Sequence, residues 1–196
     1  RLQVVSDKII RVQATAEQSF RNKQSLIIVP QNSKANYKVE EQGDNLIITT
    51  AAMRAVMNEA TGQITFYDLK DNVLLNEVAQ GGKTFKPFTV PDREIGVDIA
   101  KVPEAQKHGW SWRALFNSPD NEAFYGLGQH QSEELNMKGK NEDLFQYNTK
   151  VSVPFVISNK NYGILWDSYS YCRWGNPEDY LQLNRAFKLY DKDGKE

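Results

Sequence analysis

Two histidines, His108 and His130, are the side chains of this sequence that ordinarily titrate near neutral pH. A histidine can act as a general acid or base, or it can bind zinc together with further His or Cys ligands at characteristic spacings. Neither histidine has a second His or Cys at such a spacing. We therefore expect both to make hydrogen bonds or to lie at the surface, and we expect no metal and no cofactor.

Adjacent carboxylates are the second group that could do chemistry, because two Asp or Glu side chains can cleave a glycosidic bond. Such pairs occur at Glu133-Glu134, Glu142-Asp143 and Glu178-Asp179. All three lie beside Asn, Pro or Lys, as is usual in solvated loops. Nothing in their spacing predicts two carboxyl groups held about 5–9 Å apart across a substrate. The sequence therefore predicts no catalytic residues.

Two glycine-containing segments have part of the pattern of a ligand-binding loop. Tyr125-Gly126-Leu127-Gly128 lacks both the third glycine and the Lys-Ser/Thr pair of a phosphate-binding loop. Asp191-Lys192-Asp193-Gly194 lacks the third ligand before the glycine and the distal Glu of a calcium loop. We interpret both as structural turns.

Composition excludes several classes of partner. The chain has 24 basic and 25 acidic residues and a net charge of -1, which gives no electrostatic attraction to nucleic acid or to an anionic membrane. No stretch approaches the roughly 20 apolar residues that span a bilayer. Cys172 is the single cysteine, so no disulfide can form within the chain.

The hydrophobic pattern has a period of two, which is typical of strands, and helical periodicity is not sustained beyond about ten residues. We predict strands at residues 10–15, 26–29, 45–50, 55–58, 63–68, 73–75, 110–116, 153–157, 162–166 and 181–189. Many short strands separated by turns predict an all-β antiparallel sandwich or barrel. Residues 81–109 and 129–149 are predicted to be long loops, and such loops often carry function.

The segment Tyr125-Gly126-Leu127-Gly128-Gln129-His130, preceded by Glu122, resembles the Tyr-Gly-x-Gly-Glu-His element of family 31 of the glycoside hydrolases. The resemblance continues, in the family's order and approximate spacing, through residues 135–139, 141–143, 153–158 and 161–167, and upstream it includes the hairpins at 53–75. Gln129 stands where many members carry Glu, so a charged role does not transfer to that position.

In that family the resembling region is an N-terminal antiparallel β-sandwich of the galactose mutarotase-like (supersandwich) type. It packs against a (β/α)8 barrel that carries an Asp nucleophile and an Asp acid/base for retaining hydrolysis of α-glycosides. The family's nucleophile signature, Trp-x-Asp-Met-Asn-Glu, is absent here, and a barrel alone needs about 250 residues. The resemblance therefore implies a non-catalytic domain, with the barrel of the same chain and carbohydrate as its partners in the full-length protein.

The resemblance favours the α-xylosidases of the family, with α-glucosidase as the other activity. Leu189-Tyr190-Asp191-Lys192-Asp193-Gly194 is similar to the junction at which an inserted PA14 module interrupts the N-terminal region of bacterial α-xylosidases. This similarity implies a single domain over residues 1–196 that is cut before the inserted module and the barrel. Family membership favours a periplasmic or secreted location.

The family uses a loop of this domain to wall off the substrate pocket, and Gly139–Lys150 is the expected equivalent. Phe145 and Tyr147 would offer flat apolar surfaces to a sugar ring, while Gln146 and Asn148 would hydrogen-bond its hydroxyl groups. The alternative is that Phe145 and Tyr147 pack beneath their own loop.

Other residues of the matching blocks have structural interpretations. Gly126 and Gly128 are expected at a β-bulge, where the backbone has positive φ or approaches a neighbouring strand closely. Trp110, Trp112 and Trp166 are expected in the core or on the surface that faces the barrel.

Two other functions fit parts of the pattern. A stand-alone carbohydrate-binding β-sandwich would bind sugar through surface aromatic residues without the barrel. A mutarotase-type enzyme would need His108 or His130 in a concave site opposite a carboxylate.

Overall fold

The computed structural model describes residues 1–21, 23–29, 35–89, 98–131, 134–146 and 148–175. Within these residues it contains fifteen strands, one three-residue 3-10 helix at Ile99–Lys101 and one four-residue helix, α1, at Glu104–Lys107. The strand pairs formed by these residues are antiparallel, so the predicted all-β antiparallel class is confirmed. No helix among the described residues is long and apolar enough to cross a membrane.

The strands run along the chain in fifteen short segments. They are β1 (Leu2–Ser6), β2 (Ile9–Val12), β3 (Tyr37–Gln42), β4 (Asn45–Thr50), β5 (Arg54–Asn58), β6 (Ile64–Tyr67), β7 (Val73–Glu77), β8 (Lys83–Thr89), β9 (His108–Ala114), β10 (Phe116–Asn117), β11 (Phe124–Gln129), β12 (Glu142–Leu144), β13 (Val151–Ser158), β14 (Tyr162–Leu165) and β15 (Cys172–Trp174). They form two compact units: unit 1 holds residues 1–122 and 160–162, and unit 2 holds residues 123–159 and 163–196. A single domain over 1–196 stays a prediction.

Unit 1 is organised around a six-stranded sheet with the order β10-β7-β6-β5-β4-β3. The strands β3 to β7 follow one another as hairpins, and glycines with positive φ form the turns at Gly43 and Gly62. The predicted strands at 45–50, 55–58, 63–68 and 73–75 are confirmed to within two residues at each end.

One face of this sheet supplies the core of unit 1. Ile48, Ala55 and Ile64 are buried there, on three neighbouring strands. Thr50, also buried, donates its hydroxyl to the carbonyl of Asp7 at 2.7 Å and thereby connects the end of β4 to the β1–β2 hairpin.

Two predictions in this half were wrong. Residues 26–29 are not a strand: the Ser25 hydroxyl accepts from the backbone N–H groups of Ile27 and Ile28, so a local turn takes the donors that a ladder would need. Residues 83–89 are not loop but strand β8, which pairs along its whole length with β9. The predicted strand at 181–189 lies outside the described residues.

Unit 2 contains a three-stranded sheet of order β11-β13-β14 and a two-stranded sheet of β12 and β15. Among the described residues of this unit, the buried apolar ones are Phe124, Leu127, Met137 and Val156. The predicted strands at 153–157 and 162–166 are confirmed as β13 and β14.

The two glycines of β11 lie where its pairing with β13 is irregular, as expected from the sequence. Gly126 pairs with Val156 and Gly128 with Ser152, so the single residue Leu127 lies opposite three residues of β13. Gly126, Leu127 and Gly128 have φ of 131°, 67° and 97°. The predicted bulge with positive φ is confirmed, and it places the Leu127 side chain, 2% exposed, in the core of unit 2.

The three tryptophans expected in the core or on the barrel-facing surface have different environments. Trp112 stacks on Phe85 across the β8–β9 pair, with ring centroids 6.0 Å apart, as a cross-strand aromatic pair. Trp110 is 45% exposed and therefore is not a core residue in this chain. Trp166 is half-buried beyond the end of β14.

Candidate functional site

The loop predicted at Gly139–Lys150 is not continuous, because Glu142–Leu144 within it form strand β12; only its second part connects β12 to β13. Because β12 ends at Leu144 and β13 begins at Val151, the segment between them is residues 145–150, which we call the substrate loop. Phe145 is half-buried, and Gln146 and Asn148 are exposed. Tyr147 lies outside the described residues. The structure therefore brings three of the four predicted site residues onto one short connection in unit 2.

Phe145 makes an aromatic contact inside the protein. Its ring packs edge to face against Tyr171, with centroids 6.3 Å apart and an interplanar angle of 69°. This contact fixes the point at which the loop leaves β12. A ring anchored in this way has only its remaining surface available to a ligand.

Ser152 closes the other end of the substrate loop. Its hydroxyl donates to the Phe145 carbonyl at 3.0 Å, and its backbone N–H donates to Oε1 of Gln146 at 3.1 Å. Because this contact occupies the amide oxygen of Gln146, the amide N–H groups are the donors that this side chain can offer to a ligand. Asn148 lies at the exposed turn between Phe145, which contacts Tyr171, and Ser152.

Strand β12 is held on one face by a hydrogen-bonded carboxylate. Asp143 accepts from the Tyr171 hydroxyl at 2.6 Å and lies 3.0 Å from Nε of Arg173 through the same oxygen, Oδ1. Burial, followed by the hydrogen bond to Asp143, raises the pKa of Tyr171 well above its usual range. The phenol therefore stays protonated and donating at all physiological pH values.

The neighbouring residue Glu142 joins a buried cluster with His130 and Lys150, which we call the Glu142 cluster. Lys150 Nζ donates to Glu142 Oε1, and His130 Nδ1 lies 3.0 Å from the same oxygen. His130 Nε2 lies 2.7 Å from the carbonyl oxygen of Leu127. Since a carbonyl oxygen can only accept, Nε2 carries a hydrogen.

The histidine–carboxylate contact differs from a general acid–base pair. The His130 and Glu142 side chains are only 6% and 17% exposed, and Lys150 already bonds the carboxylate. His108 is exposed, with Nε2 2.9 Å from Glu104 Oε1 and Nδ1 3.1 Å from the Thr89 hydroxyl. Both histidines therefore make the local polar contacts that the sequence predicts.

The two carboxylates that are most deeply buried have local partners as well. Glu77, in unit 1, accepts from the backbone N–H of Ile64 at 2.8 Å and from Lys83. Glu122 accepts from Ser118 at 2.9 Å and from the Tyr162 hydroxyl at 2.6 Å. These are structural bonds, because each donor belongs to the neighbouring backbone or a packed side chain. Within the described ranges, no three His, Cys, Asp or Glu side chains are grouped so that they could hold a metal ion.

The sequence did not predict the residues that support the substrate loop from β15. Tyr171 and Arg173 contact Asp143, while Trp174 packs on Phe124 and donates Nε1–H to the Met137 carbonyl at 3.0 Å. The run Tyr-Cys-Arg-Trp alternates in character and ends in an aromatic residue, so a three-residue strand could have been proposed there.

Comparison with known proteins identifies the family. Residues 1–174 match the glycosyl hydrolase 31 N-terminal galactose mutarotase-like domain. The chain superimposes on the GH31 α-xylosidase of Xanthomonas citri with a TM-score of 0.78 and 38% identity, covering 99% of this chain and 20% of that one.

Two curated relatives are also similar. An uncharacterized family 31 glucosidase of Pseudescherichia vulneris is 26% identical, over 86% of this chain and 32% of its own length. An α-xylosidase of Saccharolobus solfataricus is 25% identical, over 86% of this chain and 22% of its own length. The chain thus spans about a third of the length of the first relative and about a fifth of the second. Both the predicted resemblance and the predicted mutarotase-like fold are confirmed, and the chain belongs to the N-terminal galactose mutarotase-like domain family of glycoside hydrolase family 31.

Proposed function

We propose that this chain is the non-catalytic N-terminal domain of a retaining α-glycosidase, with α-xylosidase as the favoured activity, and that it packs on a catalytic barrel in the same polypeptide. The observation that carries the proposal is the 38% identity to an α-xylosidase over 99% of this chain but only 20% of that enzyme. A domain that matches so small a part of a glycosidase leaves room for the catalytic machinery elsewhere in the polypeptide.

The local chemistry supports a non-catalytic role. Retaining hydrolysis needs two carboxyl groups about 5–5.5 Å apart on either side of the scissile bond, both open to substrate. Among the described residues, the buried carboxylates Glu77, Glu122 and Glu142 are each bound by donors of the chain itself. These three carboxylates therefore stabilise the fold and are not open to a sugar.

An exposed apolar sheet face in unit 2 supports packing against a further domain. Val151, Val153, Phe155 and Ile157 alternate along β13 and are each between 39% and 50% exposed. Tyr125 on β11 pairs with Ile157 and is 40% exposed, so it extends this apolar face onto the neighbouring strand. Five large apolar residues on one sheet face are characteristic of an interface. We assign the catalytic barrel as the partner that covers this face.

The substrate loop would supply contacts to the sugar next to the scissile bond. Gln146 offers amide N–H donors and Asn148 a complete exposed amide, both suited to vicinal hydroxyl groups. Phe145 and Tyr147 would add apolar ring surface, and in this arrangement Phe145 uses the part of its ring that Tyr171 does not cover.

The loop contacts can be tested in the full-length enzyme with Asn148→Ala and Gln146→Glu. The glutamate variant keeps an oxygen for the Ser152 N–H but removes the amide donors. Losing one sugar hydrogen bond should raise KM for an α-xylosylated oligosaccharide about two- to tenfold. The KM for a small aryl α-xyloside should change less, because fewer of its sugar hydroxyl groups reach the loop.

Gln3→Ala is the matched control, since Gln3 is an exposed glutamine on β1 outside the substrate loop. It should leave KM for both substrates unchanged. If Asn148→Ala and Gln146→Glu behave like this control, the loop does not contact substrate and that part of the proposal fails.

A further inference from the structure

The Glu142 cluster is a group of largely buried polar side chains that includes the last residue of the substrate loop, Lys150. The side chains of His130, Glu142 and Lys150 are 6%, 17% and 11% exposed. Burying charged groups is costly unless their partners have well-defined positions, so such a cluster tolerates few alternative geometries. The cluster therefore defines the relative position of the segments that carry it.

Of the two oppositely charged members, Glu142 precedes the substrate loop and Lys150 ends it. Glu142 begins β12, three residues before Phe145, and Lys150 is the last loop residue before β13. Their ion pair therefore joins the two ends of the connection that holds Gln146 and Asn148. A change in this pair would move the exposed residues of the loop relative to the strands.

His130 gives the carboxylate a second fixed neighbour. Its Nε2 is held 2.7 Å from the Leu127 carbonyl, next to the bulge of β11, and Nδ1 lies 3.0 Å from Glu142 Oε1. Nδ1 is not aligned with that oxygen for a hydrogen bond, and no aligned partner exists for it among the described residues. Lys150 therefore makes the hydrogen-bonded ion pair with Glu142, and His130 limits where the carboxylate can lie.

We propose that Glu142 and Lys150 are positioning residues, which act through the substrate loop and set the affinity of the full-length enzyme for extended α-glycosides. This inference rests on the proposed function of the loop and deepens it. Neither Glu142 nor Lys150 contacts the sugar. Their buried ion pair sets the position and orientation of Gln146 and Asn148 relative to β12 and β13. Misplacement of substrate-binding groups by about 1 Å is enough to weaken binding in the transition state strongly.

The test compares Lys150→Met with the double variant Glu142→Gln/Lys150→Met in the full-length enzyme. The single variant leaves a buried carboxylate without its cation and should lower thermal stability. The double variant removes both charges and should recover most of the lost stability. Both variants should nevertheless raise KM for an α-xylosylated oligosaccharide about tenfold. For both variants we expect the change in KM for the oligosaccharide to exceed the change in kcat for an aryl α-xyloside, because the ion pair acts through the loop that binds the extended substrate.

Lys83→Met is the matched control, since it breaks a second buried Lys–Glu pair in unit 1, outside the substrate loop. It should lower stability as Lys150→Met does but leave both KM values unchanged. This comparison separates a positioning role from a general loss of stability. If the double variant binds the oligosaccharide as tightly as wild type, the positioning inference is wrong.

The loop variants distinguish this failure from failure of the proposed function. If Asn148→Ala and Gln146→Glu raise KM while Lys150→Met and Glu142→Gln/Lys150→Met do not, the loop contacts substrate but the ion pair does not position the loop. If the loop variants also leave KM unchanged, both the sugar-contacting role and this inference are overturned.

Discussion

At the scale of single residues, the irregular pairing of β11 with β13 requires two positions without a side chain. A Cβ atom at Gly128 would lie 2.0 Å from the Val151 carbonyl oxygen and 2.9 Å from the Val153 nitrogen, both of them backbone atoms. At Gly126 it would lie 2.5 Å from the Phe155 carbonyl oxygen. Because backbone atoms of β13 cannot rotate away, the two strands can pair at this distance only with glycine in both positions.

We predict that Gly128→Ala destabilises the chain by about 3 kcal/mol or more, because it combines a positive φ with overpacking against backbone. The free energy of unfolding, measured in urea, checks this value. Gly139→Ala is the control: Gly139 also has positive φ, at 72°, but its Cβ would meet nothing within 4 Å. Gly139→Ala should lower the free energy of unfolding by only about 1–2 kcal/mol. If Gly128→Ala and Gly139→Ala lowered the free energy of unfolding equally, the close approach of Gly128 to β13 would not constrain the fold.

At the scale of secondary-structure elements, β12 is stabilised by interactions on both of its faces. Successive residues of a strand point to opposite sides, so Glu142 enters the buried cluster while Asp143 meets Tyr171 and Arg173. A strand of three residues cannot be stable alone, and the pairing with β15 together with these side-chain bonds compensates for its length.

We predict that Tyr171→Phe lowers the free energy of unfolding by about 1–2 kcal/mol, because it removes the hydrogen bond to Asp143 while the ring contact with Phe145 is kept. Urea denaturation measures the loss. Tyr125→Phe, at a phenol that is 40% exposed, should change the stability by less than about 0.5 kcal/mol. A Tyr171→Phe variant as stable as wild type would mean that the hydroxyl does not hold β12.

The elements differ in how well the sequence predicts them. Strands β4 to β7 follow from short apolar runs separated by turn residues, with a positive φ at Gly62 between β5 and β6 and at Asp71 between β6 and β7. Strands β12 and β15 could not be found in the same way, since they are short and pair across 28 or more residues of sequence. The position of the substrate loop was predicted from family resemblance, whereas the Glu142 cluster depends on tertiary packing that no local pattern encodes.

At the scale of the whole molecule, the isolated chain exposes the apolar sheet face of β13. We predict that the 196-residue chain self-associates in solution and that sedimentation velocity detects oligomers whose fraction rises with concentration. Val153→Lys should reduce this association, because a charge at the centre of the face opposes its burial. Leu69→Lys, at a residue that is 56% exposed in unit 1, is the control and should leave association unchanged.

A chain that stays monomeric at all soluble concentrations would contradict the assignment of this face as an interface. The same Val153→Lys change in the full-length enzyme should lower its thermal stability, since the lysine would then be buried against the barrel.

The most direct test of the proposed function measures hydrolysis of aryl α-xyloside and aryl α-glucoside by the 196-residue chain beside the full-length protein. We predict that the full-length protein hydrolyses one of these substrates, with α-xyloside favoured, and that the isolated chain hydrolyses neither. Hydrolysis by the isolated chain, at a rate per mole comparable with that of the full-length protein, would contradict a non-catalytic domain.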